Sequence, residues 1–475
     1  MNRVNQNTGN AMHSASSSKP LRAGAAKVDI SPVNDIQIAG SIGWRRPCSG
    51  VADPIYAHAL VLEQAGRQFC ILSVDVLAID IPWANEIRQR VHQLTGIPRE
   101  AVLLHATQNH SAPDIGNDFC HDSCKLIPDE LPWVRGGDPR YNEPAVAGIL
   151  ESVRLAMQRL TPVRVAAGRA IDGRLAVNRR YIMRDGTLRC QPPLCSQDIL
   201  HVEGPIDPEV GVVTFTATDG RVVAVVLHHT AHPTSGYWGT QASSDWPGAW
   251  CREMETHFGA NCTALVVNGC CGNIVTFNYL SPDQAPDREI GDYRAMGRLL
   301  AQSTKRALEN MTPLGAPVLA WASHNLRLGW RKVPAQVIAE SKRVLRQHRT
   351  PVWDDATQVN RDWLHAVGIL DLLDQQRMQP TFPYEIQAIR LGDFALVAVG
   401  GEPFVEMQLA IKRDSPLPFT YLAHMSNGGI GYIPTRRAIA AGGYETMSGF
   451  GSPFAVEAAE LIERAAVRLL RKLAD

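Results

Sequence analysis

Short apolar runs recur along the chain, and several come in pairs joined by turn residues. The first, Ala25–Ile30, reads as a strand ended by Ser31-Pro32. Four pairs or turns read as β-hairpins. Ala57–Glu63 faces Gln68–Val74 across Ala65-Gly66, and a second hairpin turns at Asp185-Gly186. Val212–Ala217 faces Val222–His228 across Asp219-Gly220, and Ile386–Arg390 faces Phe394–Val399 across Gly392-Asp393. Helical spacing appears between them. Pro82 opens a helix with Ile87, Val91 and Leu94 on one face and Gly96 at its end. Pro247 stands in the first turn of another, with Trp250 and Met254 four apart. Helices are also expected over 288–310, 334–348 and 358–376. The last helix is expected to take Ser452 as N-cap and Pro453 as its first residue, burying Leu461, Ala465, Leu469 and Leu473. Hairpins interleaved with crossover helices predict an α/β protein of mixed type, with a mixed β-sheet core flanked by helices.

Composition narrows the class. The 475 residues are 45% hydrophobic and 20% charged, which is ordinary for a globular chain with a large core. A single catalytic domain is expected over 21–475, with the polar, Gln/Arg-rich stretch 330–380 as a helical insertion or cap. Residues 1–20, rich in Ser and Asn, read as a disordered tail. Lys plus Arg and Asp plus Glu are both 47, so neither nucleic acid nor an anionic membrane is expected as main partner. No apolar run is long enough for a signal peptide or a membrane span, so a cytoplasmic location is expected. The ten cysteines are then expected to be reduced. Cys120 and Cys124 flank His121, but no second Cys/His pair stands at zinc-finger spacing, so they read as free thiols in a loop.

Five polar segments follow predicted strands, where α/β enzymes place their sites. Gln108, Asn109 and His110 follow Leu103-Leu104. His228, His229 and His232 end the run Val222–Leu227, and Asp245 follows at a helix start. Asn268-Gly269-Cys270-Cys271-Gly272-Asn273 could present backbone N–H groups to an oxyanion. Glu402 stands between Gly401 and Pro403, rigidly placed to ligate a metal or act as a base. Asn427–Thr435 is a glycine-rich turn that delivers Tyr432, with Tyr444 close behind. Arg179 and Arg180 could clamp a carboxylate or an oxyanion. Each segment also has a plain structural role open to it, as cap, turn or packed aromatic.

The order of these motifs, from GAAKVDISP at 24–32 to YETMSGFGSP at 444–453, resembles the neutral/alkaline ceramidase catalytic domain. The resemblance implies a zinc ion that activates water against an amide carbonyl. It implies His232, Glu402 and Tyr432 as ligands, Tyr444 as a second site tyrosine and Arg179 as a pocket arginine. The family's first His ligand falls at Gln108, and the second His of that motif at His110. The family's site serine has no match in Gly272–Asn278, and no counterpart of its C-terminal β-sandwich domain is expected.

Three functions stay open on these residues. The first is a zinc-dependent hydrolase of an amide or related bond, with His110, Tyr444, Arg179 and Asp245 catalytic and Asn109, Arg180, Asn273 and Gln108 binding substrate. The second is a metal-independent polysaccharide lyase or glycosidase using His110, His232, Tyr432 and Tyr444 as acids and bases, with the arginines on a uronate. The third is a non-catalytic binding protein. The substrate would be a small molecule, a lipid amide or an oligosaccharide. The aromatics Tyr237, Trp238 and Trp246 near the His232 loop could stack on it or simply pack.

Overall fold

Two β-sheets carry the fold of the computed structural model, which describes residues 19–475 except 118, 122, 237–238, 282–291, 316 and 450. Eight strands of the larger sheet are β1 (Arg22–Asp29), β2 (Tyr56–Gln64), β3 (Arg67–Val74), β4 (Val102–Ala106), β5 (Thr161–Ile171), β6 (Glu209–Ala217), β7 (Val222–His229) and β8 (Thr263–Asn268). Their spatial order is β8-β7-β6-β5-β1-β2-β3-β4, and Thr312–Pro313 pairs with β5 as the ninth strand. β7–β8 and β3–β4 are parallel, and the other pairs are antiparallel. The smaller sheet runs β9 (Leu319–Leu328), β10 (Phe382–Leu391), β11 (Phe394–Val399), β12 (Phe419–Ala423), with β11 and β12 parallel. The expected mixed sheet is therefore present, and so are the four hairpins. The first turns on Ala65 at φ 55° and Gly66 at φ 82°. Two positive φ angles in a row match the twist of the flanking strands.

The edges of the sheets meet instead of facing solvent. β4 and β8 are opposite edges of the larger sheet, yet the Asn268 N–H donates to His105 Nε2 at 3.0 Å and its Nδ2 to the Thr107 carbonyl at 3.0 Å. The chain after β12 closes the same seam. His424 N–H donates to the Asn268 carbonyl at 3.2 Å, and Asn427 N–H to the Leu104 carbonyl at 2.7 Å. His105 Nδ1 donates to the His424 carbonyl at 2.6 Å. Unpaired strand edges are satisfied at the place where the strands end.

Helices cover the remaining faces. α1 (Ile81–Thr95) packs on α2 (Pro139–Gln158), which lies on β1 and β2; α3 (Asp245–Phe258) and α4 (Tyr293–Leu308) pack together over β5, β6 and β8. α5 (Ala335–Gln347) pairs with α6 (Arg361–Met378), whose Trp363, Leu364 and Val367 join a core with Phe119, Ile127 and Val134. α7 (Val405–Asp414), α8 (Arg436–Ala441) and α9 (Ala458–Ala474) follow, with α9 on the smaller sheet. Among the described residues no helix is long and apolar enough to cross a membrane.

Two expectations change. The last helix starts at Ala458, and Ser452-Pro453 lies outside it. The Pro453 carbonyl instead accepts the Arg331 N–H at 2.8 Å, and Phe454 bridges to Trp330, so this stretch is spent as an extended clasp. The helix expected over 288–310 is seen as α4, its first residues lying outside the described ones, as do residues 1–18 of the expected tail.

The α3–α4 contact depends on Gly297. A Cβ there would stand 2.6 Å from the Ala249 Cβ, so the helices touch through bare backbone. Gly297→Leu is expected to cost about 1–3 kcal/mol by overpacking, read as a lower urea midpoint. An unchanged midpoint would mean the helices can part freely.

Candidate active site

Five strand ends converge on one buried polar floor. β4 delivers Gln108 and His110, β7 delivers His232, β8 leads into Gly272, β11 leads into Glu402, and the segment after β12 leads to Tyr432. Glu402–Pro403 and Tyr432–Ile433 pair as short parallel strands, so Glu402 and Tyr432 lie side by side. Glycine makes this approach possible. A Cβ on Gly272 would stand 2.4 Å from the Glu402 carbonyl, and Gly401 takes φ 68°.

His232 is fully buried. Its Nδ1 lies 3.0 Å from the Ile274 carbonyl, which can only accept, so Nδ1 carries the proton and Nε2 holds a lone pair. Nε2 is 3.2 Å from Glu402 Oε2. Tyr432 and Gln108 also hydrogen-bond the Glu402 carboxylate. The His110 ring stands 5.6 Å from that of His232, with its Nδ1 at 3.2 Å from the Gly40 carbonyl.

Beneath these groups lies a buried ion network. Arg179 donates through Nε to Glu445 at 3.0 Å, and through Nη2 to the Gly272 carbonyl at 2.6 Å and the Tyr432 hydroxyl at 3.2 Å. Its guanidinium faces the rings of Tyr444 at 5.0 Å and Tyr432 at 5.6 Å, a cation–π pairing with both. Arg180 donates to the other Glu445 oxygen at 3.0 Å and to Glu203.

Burial sets the protonation states. It pushes the Glu402 carboxyl up to about 7 against the opposing pull of Arg179. It pushes His232 down to about 3, helped by Arg179, and His110 well below its ordinary value. The Tyr432 and Tyr444 phenols are raised, first by burial. Burial also works to raise Glu445, but Arg179 and Arg180 outweigh it and hold the carboxyl low. The floor therefore presents two neutral imidazoles, two protonated phenols and one carboxyl poised near neutrality.

Several expected site residues are committed elsewhere. Asn109 is fully buried and spends its amide on the Ser243 and Asp75 carbonyls and the Ser111 N–H. Asn273 bonds Glu406 and the Val405 N–H, so it fixes the start of α7. Arg180 is fully buried among Glu445, Glu203 and the Gly442 carbonyl and cannot reach a substrate. Asp245, also buried, accepts the Gly236 and Trp246 N–H groups at 2.9 and 2.6 Å, which makes it a loop and helix-start anchor. His228 and His229 turn away from this floor: one stacks on Tyr421 at 4.6 Å and the other meets Trp246 edge-on at 5.7 Å. Trp246 is core, and Tyr237 and Trp238 lie outside the described residues. Cys270 and Cys271 are separate buried thiols, and all ten cysteines are free.

No protein-family model matches the chain. Neutral ceramidase from Pseudomonas aeruginosa is 27% identical over 221 residues, 46% of this chain and 30% of that protein. The matched stretch thus spans about a third of that relative's length. The crystal structure of neutral ceramidase from the same organism superposes with TM-score 0.70 over 96% of this chain and 74% of that one, at 18% identity. A ceramidase structure described as complexed with C2 gives TM-score 0.71 over 96% and 76%. The chain has the neutral ceramidase fold.

The zinc implied by resemblance to ceramidases can be weighed against these donors. His232 meets the usual demand on a ligating imidazole, since its other nitrogen is pinned to a carbonyl. Glu402 and Tyr432 add two oxygen donors beside it, and three protein donors plus water suit catalytic zinc. The ceramidase first-His position, Gln108, does not add a fourth, because its Oε1 accepts the Cys271 thiol at 3.2 Å. Among the described residues no group of three His, Cys, Asp or Glu gathers as a metal cluster. Cys271, His424 and Glu445, all part of this floor, carried no role in the motif reading. For Glu445 the signal was its place beside Tyr444, and for His424 its place just past β12.

Two outcomes test this floor. Glu445→Gln leaves two buried guanidiniums short of charge and is expected to cost about 3–5 kcal/mol in a denaturant titration. A loss under about 1 kcal/mol would mean that the network contributes little. A carboxyl raised to about 7 when folded gives stability that is full at pH 4 and lost as pH rises through 7. In chelator-treated protein, Glu402→Gln should thus gain in thermal midpoint relative to wild type between pH 5 and 8. A pH-independent difference would contradict the buried placement of Glu402.

Proposed function

We propose that the protein is a metal-dependent hydrolase of an amide or related bond, with zinc held by His232, Glu402 and Tyr432. The observation that carries this reading is the His232 imidazole, whose Nδ1–H is tied to Ile274 while Nε2 offers its lone pair beside Glu402. Bound zinc would polarise the scissile carbonyl and bring the pKa of a water toward 7. Around it, His110 is neutral and sits beside His232, able to take a proton from the attacking water and return it to the leaving nitrogen. Arg179, locked by Glu445 and the Gly272 carbonyl, steadies the Tyr432 oxygen and puts positive charge under the negative charge that develops on the substrate. Tyr444 offers a protonated phenol to a substrate oxygen.

The substrate in this reading is a small or polar N-acyl compound, with a lipid amide as the ceramidase-like variant. The pair α5–α6 serves as a cap: Leu364 packs on Gly43, and Gly40 of the same loop abuts the His110 ring. Ten free cysteines support a reducing compartment such as the cytoplasm. The even charge balance gives no support to a nucleic-acid partner.

One observation favours a second reading. With the Gln108 oxygen occupied by Cys271, the set of metal donors is a histidine short of the family pattern. The same floor, without metal, has the acids and bases for a uronate sugar: His110, His232, Tyr432 and Tyr444, with Arg179 toward the carboxylate.

A panel of N-acyl substrates separates the readings. Under the hydrolase reading a chelator stops turnover, zinc restores it, and His232→Ala and Glu402→Ala each lower kcat/KM about 100-fold or more. Near-wild-type turnover in both variants would remove the site. Chelator-resistant cleavage of uronate oligosaccharides would establish the second reading in place of the first.

A further inference from the structure

We infer that Cys271 is a positioning residue: its thiol holds the Gln108 side chain so that the amide nitrogen, and not the oxygen, addresses Glu402. This rests on the proposed site role of Glu402, but its geometry stands by itself. Cys271 is fully buried, in the loop between β8 and the short strand Ile274–Val275. A cysteine thiol is mostly S–H at neutral pH, and here it acts as a hydrogen-bond donor to Gln108 Oε1.

Three groups surround the sulfur. Gln108 Oε1 is 3.2 Å away, His424 Nδ1 is 3.4 Å away, and Asn268 Nδ2 is 3.7 Å away. The Asn268 amide can only donate to sulfur, and His424 does so in the tautomer with its proton on Nδ1. Gln108 Oε1 can only accept. Gln108 Oε1 is the nearest acceptor for the single thiol proton, and with His424 in its Nδ1–H tautomer the chain of donation runs His424 to Cys271 to Gln108 to Glu402. Reversing the amide would set its oxygen against the Glu402 oxygens and forfeit the donor that now meets them.

The backbone fits a side chain selected for this contact. Gln108 takes φ 65°, a left-handed conformation that costs a glutamine and spares a glycine. With the Tyr432 hydroxyl, Gln108 gives the Glu402 carboxylate two fixed donors, beside the contact of its Oε2 with His232 Nε2. At the position where the ceramidase resemblance expects a ligand nitrogen, this protein offers an N–H donor to Glu402 or to a substrate oxygen.

Infrared difference spectra in the S–H stretching region test the bond. Wild type minus Cys271→Ala isolates one thiol band among the ten cysteines. The same subtraction in a Gln108→Leu background, with Gln108→Met as a second background should the first fail to fold, is expected to move the band to higher wavenumber, toward a free thiol. A band that stays in place would overturn the inference, because the thiol would then be bonded to His424. Kinetics test the consequence: Cys271→Ala should lower kcat about ten-fold with little change in KM, and Cys271→Ser, which restores a donor, should recover most of the loss. Equal losses in both would show that packing volume, not the hydrogen bond, is what Cys271 supplies. The infrared result does not depend on any turnover, so a failed hydrolase reading and a failed inference give different signatures.

Discussion

One carboxylate holds two buried guanidiniums, and the site is organised around that pairing. Glu445 splits its two oxygens between Arg179 and Arg180, each at 3.0 Å, and none of the three is exposed beyond a few per cent. Such a cluster is costly to desolvate and is tolerated only when nearly every donor is met. Here the remaining donors reach Gly272, Gly442, Glu203 and Tyr432. These partners come from distant parts of the chain, so satisfying the charges also fixes the loop after β8, the Tyr432 strand and the Tyr444 turn relative to each other. Removing the carboxylate would loosen all three at once.

The second constraint is the seam between sheet edges. Each of the pairs β3–β4, β7–β8 and β11–β12 is parallel and so sets two carboxyl ends side by side, and the His105, Asn268 and His424 bonds bring the three pairs' ends together. The polar residues after each strand consequently meet in one place although they are spread over more than 300 positions. That is the geometric reason a His, a Glu and a Tyr from different motifs can share a buried polar floor.

Period and turn chemistry made much of this fold legible. The hairpins stood out because alternation and Gly-containing turns coincide, as at Ala65-Gly66. α2 did not, because Pro144 and Gly148 interrupt its helical pattern, and Gly148 is there to admit Ile30 against the helix. The start of α9 was misplaced because Ser-Pro is a good helix opener in isolation, whereas here Pro453 and Phe454 clasp Trp330. Of the proposed site residues, His232 and Glu402 stand at the ends of apolar runs and Tyr432 in a glycine-rich turn, which makes them candidates in the sequence. What could not be read was how each polar group is satisfied. Arg180 and Glu445 are 265 positions apart, and Cys271 and Gln108 163 apart, so pairing that removes Arg180 from the site, or turns Gln108 around, leaves no local trace.

His232, Glu402 and Tyr432 are proposed to form one metal-capable centre on the neutral ceramidase fold. Mass spectrometry of metal in protein purified without a histidine tag tests it most directly. About one zinc per chain is expected, retained through gel filtration and lost together with either His232 or Glu402. Protein that holds no zinc, even after incubation with the ion, would contradict it and leave the floor to acid–base chemistry alone.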